Sequence, residues 1–130
     1  MDNLTTYKKV EINGKEYLLK YDFNASCDIE EVYGKGVYSV LNEEQVGFKL
    51  ARTFYWAGLK WKYPGLTLQV VGNMLGKEIQ ENGKNIAELM TPVMDALKKS
   101  KLLGSNKTEK EVSIDDFEAK EEEEDDNPNA

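Results

Sequence analysis

Asn13-Gly14, set between two runs of alternating apolar and polar residues, restricts the start of this chain to one local topology. Asn and Gly tolerate the two positive φ angles of a type I′ turn. Lys9 to Leu19 therefore reads as two short antiparallel strands closing on Ile12-Asn13-Gly14-Lys15. In the second strand Tyr17, Leu19 and Tyr21 alternate with Leu18, Lys20 and Asp22, which leaves one apolar face to pack against later elements of the chain.

From Asp22 onward the pattern is helical. Asp22 or Asn24 caps a helix over about 25–33 that places Ala25, Ile29 and Val32 on one side, and Gly34 suits the left-handed stop. Gly36 to Leu41 fits either a helical turn or an extended link. With Asn42 as cap and Glu43 and Glu44 complementing the dipole, the pattern predicts a helix to about Leu59, with Val46, Leu50, Phe54 and Ala57 on its inward stripe. Pro64-Gly65 closes that segment. Thr67 caps a helix aligning Leu68, Val71, Leu75 and Ile79, which Asn82-Gly83 ends. Gly72 and Gly76 weaken its interior by roughly 1 kcal/mol each relative to Ala, so a close neighbour is expected beside them.

The last helix starts at Asn85, with Glu88 completing a capping-box pair, and carries Ile86, Leu89, Met90, Val93, Met94 and Leu97 at helical spacing. Pro92 either kinks it or begins a second helix capped by Thr91; the unbroken apolar register favours the kink. Lys98, Lys99 and Lys101 complement the C-terminal dipole, and Gly104 is the expected stop. These elements predict an α+β domain over residues 1–104, mostly helical, with an N-terminal hairpin packed on four or five helices.

Charge divides the chain at the same point. Residues 1–104 sum to +1 and residues 105–130 to −8, so the tail sets the net charge of −7. A segment so acidic and poor in apolar residues does not bury enough surface to offset its ordering entropy, and disorder is predicted from Ser105 onward. Val112-Ser-Ile-Asp-Asp-Phe117 interrupts it, as a short docking peptide or as scattered apolar residues.

The near-neutral body with its single arginine, Arg52, argues against nucleic-acid binding. No run approaches the roughly 18 apolar residues of a membrane span, and Met1 to Lys9 lacks the apolar stretch of an export signal, so a cytosolic protein is expected. The lone Cys27 agrees with that, and without any histidine it reads as a small apolar residue on a helix and not a catalytic thiol. Adjacent acids such as Glu30-Glu31 read as a solvated face. No metal, cofactor or catalytic constellation is expected.

The candidate site is aromatic. Six of the thirteen aromatic residues fall between Phe48 and Tyr63. Once Val46, Leu50, Phe54 and Ala57 turn inward, Tyr55, Trp56, Trp61 and Tyr63 have no obvious internal place. They form either a partner-binding patch or a cluster covered by the hairpin. Met74, Met90 and Met94 suit adaptable contacts or core filling.

Three segments, in order, carry a resemblance: Val10 to Asn24 leading into Ala25 to Tyr33, then Arg52-Thr-Phe-Tyr-Trp-Ala-Gly-Leu59, then Pro64-Gly-Leu-Thr-Leu-Gln-Val-Val-Gly72. Across about residues 10–103 the chain resembles the tail assembly chaperones of long-tailed bacteriophages. The resemblance implies a non-catalytic protein that binds the tape-measure protein, keeps it soluble and helps recruit tail tube protein in the host cytoplasm. In such phages a longer form often arises by frameshifting, which here would place the divergence after Gly104. A dimer or a spiral array along the partner fits the hairpin edge and the surplus aromatics. The second reading is a small acidic regulator whose tail mimics nucleic acid and occupies a basic groove.

Overall fold

The hairpin forms as its turn residues require. In the computed structural model, which describes residues 6–103, β1 (Tyr7–Ile12) pairs antiparallel with β2 (Lys15–Lys20) in a register running from Ile12 opposite Lys15 to Tyr7 opposite Lys20. Asn13 and Gly14 carry the positive φ angles of the turn, 54° and 82°. Asn13 has a second role. Its backbone N–H donates to Glu78 Oε2 at 3.0 Å, and its side chain donates to the Met74 carbonyl at 3.1 Å and accepts from Asn82 Nδ2 at 2.9 Å. Glu78 is buried, yet its carboxylate also accepts from Asn82 Nδ2 and faces Lys84, so the charge is bonded rather than stranded. The hairpin tip is thereby fastened to the helices at long range in sequence.

Five helices complete the described chain: α1 (Phe23–Tyr33), α2 (Val37–Glu43), α3 (Phe48–Leu59), α4 (Leu68–Gln80) and α5 (Ile86–Ser100). The expected α+β architecture is the observed one. Asp22, not Asn24, caps α1, accepting from the Ala25 N–H at 2.8 Å, and Gly34 ends it at φ 72°. Thr67 caps α4 through the Val70 N–H, and Asn85 and Glu88 form the reciprocal capping box of α5.

Two expectations of local pattern are corrected. No helix begins at Asn42; that residue lies in the last turn of α2, and α3 starts only after Gly47. Val37 and Val40 are buried, so the 37–43 segment is held helical and consumes Asn42. Lys35 Nζ then draws both acids aside, at 2.8 Å from Glu43 and 2.7 Å from Glu44, and they serve as ion-pair partners instead of a first turn. Val46, expected on the inward stripe, falls in the link and is exposed. The second correction is at the end of α5, which stops at Lys101 in the left-handed conformation (φ 61°) before Gly104 is reached. Gly104, the acidic tail and Val112–Phe117 lie outside the described residues.

Pro92 sits within a single continuous α5 and Thr91 does not cap a new helix; its hydroxyl donates to the Ala87 carbonyl. Glu88 loses the i+4 amide that any other residue at 92 would offer, a cost that the buried stripe of Leu89, Met90, Val93, Ala96 and Leu97 outweighs.

α3 is the axis of the core. It touches α1, α4, α5 and β2, and eight of its residues from Leu50 to Leu59 are buried. Its close approach to the hairpin depends on Gly58, where an added Cβ would lie 2.8 Å from Tyr21 Cζ and 2.9 Å from Leu19 Cδ2. Expected close packing at the α4 glycines is only partly observed. A Cβ at Gly72 would come 3.2 Å from Arg52 Cδ, but at Gly76 it would meet only Gln80 Oε1 at 3.8 Å.

Candidate partner-binding groove

The aromatic segment at the end of α3 faces the hairpin. Tyr55 is 1% exposed, and its hydroxyl donates to the Leu89 carbonyl at 2.6 Å. It is a core residue and not the surface residue the sequence suggests, because a phenol that finds a buried acceptor is stable inside. Tyr21 behaves alike, donating to the Phe54 carbonyl at 2.5 Å. Burial pushes both phenols well above the ordinary tyrosine range, with the Glu78 carboxylate adding to the effect at Tyr55 and Tyr55 adding to it at Tyr21.

Trp61 and Tyr63 close the free edge of β2. The Leu18 carbonyl accepts from Trp61 Nε1 at 3.1 Å, and the Leu18 N–H donates to the Tyr63 hydroxyl at 3.3 Å. One residue of an edge strand thus has both outward backbone groups taken by side chains from the α3–α4 loop, which blocks strand addition there. Tyr63 packs edge-on against Tyr17, and Trp61 stacks on Tyr7 beneath the ammonium of Lys20. Trp56 is half-buried, with Lys60 Nζ 4.6 Å above its ring and the same ammonium paired to Asp28. Trp61 is exposed, Trp56 and Tyr63 are half-buried, and Tyr55 is buried. The four residues therefore do not converge on one open patch.

The open apolar surface lies at the other end of α3. A groove of about 540 Å³ runs between α3, α4 and the first turn of α5. Ala51, Leu75, Ile79, Ile86 and Leu89 provide its apolar lining, Gly72 and Gly76 line it from α4, and Phe48, Lys49, Arg52 and Gln80 complete it. The two glycines are four apart and so share a helix face; the Arg52 side chain lies close over Gly72, and the room along α4 is at Gly76. At Gly76 an added Cβ would meet only Gln80 Oε1, so the missing side chain widens the groove.

Phe48 stands at this groove 74% exposed, and Val46, two residues earlier in the chain, is 61% exposed. Neither residue stands out in the sequence, because the helical pattern puts Val46 on an inward stripe and Phe48 is one aromatic among six. The two α4 glycines were the legible signal, although it pointed to packing and not to space.

The charge at the groove has one sign. Lys49 and Arg52 line it, no Asp or Glu does, and neither cation has an ion-pair partner among the described residues. Lys49 Nζ lies 4.8 Å over the Tyr33 ring, which holds that side chain along the helix surface. An apolar floor with two cations suits a segment that combines apolar and acidic residues.

Elsewhere, Cys27 is exposed on α1, and no group of three potential metal ligands occurs among the described residues. No described helix is long and apolar enough to cross a membrane. Comparison with protein-family models, curated proteins and solved structures gives no match.

Proposed function

We propose that this protein is a non-catalytic tail assembly chaperone that receives an amphipathic helical segment of a tape-measure protein in the α3–α4 groove. In the host cytoplasm it keeps that partner soluble and helps recruit tail tube protein. The observation that carries this reading is the open apolar groove, with Phe48 exposed at its side and two cations lining it. Such a groove takes the apolar face of a helix through anchors about one turn apart, while Lys49 and Arg52 favour acidic residues flanking those anchors. A chaperone for a long, repetitive helical partner needs many modest contacts of this kind and no chemistry. The resemblance of residues 10–103 to tail assembly chaperones supplies the partner's identity.

The test is co-expression of the full-length chain with the tape-measure protein encoded beside it. The expected outcome is a soluble, co-purifying partner, and loss of that partner on Phe48→Ser combined with Arg52→Glu while the chaperone itself remains folded by circular dichroism. A tape-measure protein that stays insoluble with the wild-type chain overturns the chaperone reading. Capture that survives the double substitution overturns the groove as its site.

A further inference from the structure

The groove is lined by apolar side chains and two cations that lack ion-pair partners among the described residues. The chain contains one segment of complementary chemistry outside the described residues. Val112, Ile114 and Phe117 are the large apolar residues of positions 105–130, and they enclose Asp115 and Asp116 between Glu111 and Glu118. Apolar and acidic groups are thus interleaved within six residues.

We propose that Val112–Phe117 occupies the α3–α4 groove of its own chain when no partner does, with its acidic residues toward Lys49 and Arg52. This rests on the groove being a binding site, and not on which protein binds there in trans.

The geometry permits it. Leu89 lines the groove and α5 runs from there to Ser100, a distance of about 17 Å at 1.5 Å per residue. Leu103 is half-buried against the core, so the departing chain starts from a held point. Residues 104–111 then separate Leu103 from Val112, and extended chain of that length reaches up to about 30 Å. The segment can return along α5 and cross to α3 with slack. Tethering supplies an effective concentration on the order of 1 mM, so a contact too weak to matter between separate molecules is populated within one. Such a contact would cover Phe48 until a partner displaces it and would restrict the groove to ligands that outcompete the tether.

Two measurements on full-length protein test this. In amide spectra, Val112→Ser/Ile114→Ser/Phe117→Ser is expected to shift the resonances of Phe48, Arg52, Leu75 and Ile79. Changes confined to residues beyond Leu103 overturn the proposal, and groove shifts that vanish on dilution overturn it in favour of a second copy as occupant. A synthetic peptide of residues 109–119 is the second probe. It is expected to bind the triple variant about tenfold more tightly than the wild-type chain, whose own segment competes; equal affinity overturns the proposal. Neither measurement uses a tape-measure protein, so a failed co-purification and a failed self-docking are separate results.

Discussion

The two ends of α3 carry similar side chains to opposite fates. At its C-terminal end the hairpin and α5 close over the aromatics, and four side chains bond to backbone there: Tyr21 to Phe54, Tyr55 to Leu89, Trp61 and Tyr63 to Leu18. At its N-terminal end Phe48 has no polar atom to satisfy, and the groove beside it stays open. The difference teaches that hydrophobicity did not choose between core and surface here. What chose was whether another element packed against that end of the helix: Phe54, with no polar atom either, is fully buried.

The sharpest way to break this comparison is to truncate the same residue type at each end. Phe54→Ala is expected to destabilise the protein by about 3–5 kcal/mol in urea unfolding, whereas Phe48→Ala is expected to stay within about 0.5 kcal/mol. Comparable losses at both positions would show that Phe48 packs into the folded core as Phe54 does.

Glycines offer a second contrast of smaller size. Gly58→Ala drives a Cβ into the Tyr21 ring and Leu19, and is expected to cost about 1–3 kcal/mol. Gly76→Ala meets no such obstacle and gains helix propensity, so it is expected to stabilise by up to about 1 kcal/mol while narrowing the groove. Thermal unfolding of both variants, with binding of the 109–119 peptide, separates packing from spacing.

The smallest effect concerns the buried phenols. Tyr55 and Tyr21 have folded pKa values raised above the ordinary value near 10, so their contribution is complete below about pH 10 and is lost as pH rises above it. Above that point the unfolded chain releases protons that the folded chain retains. Tyr55→Phe is expected to cost about 1 kcal/mol at neutral pH through loss of the bond to Leu89, and to make the decline between about pH 10 and 11 shallower. A decline of unchanged slope would mean that Tyr55 ionises as freely in the fold as outside it.

Much of the secondary structure was legible because its causes are local. Asn13-Gly14 needs only its own backbone preference to turn the chain, and Asp22, Thr67 and Asn85 reach amides within three residues. Where local signals competed, reading failed. Asn42 followed by two acids has the composition of a helix start, but burial of Val37 and Val40 extended the preceding helix through it. The candidate site was less legible. Trp61 and Tyr63 look surplus until Leu18, more than forty residues earlier, arrives as their partner. Gly72 and Gly76 mark a special surface on α4 without saying whether a neighbour fills it.

By itself, then, the sequence determined a hairpin turn, the caps of α4 and α5, a choice of two caps for α1, and the apolar stripe of α5, since each depends on residues within a turn or two of one another. The tertiary structure alone decided that Tyr55 is core, that Trp61 and Tyr63 guard a strand edge, and that Phe48 faces an open groove. The physical reason is that burial belongs to pairs of elements. A side chain's exposure is set by what the rest of the chain brings against it, and the hairpin covers only one end of α3.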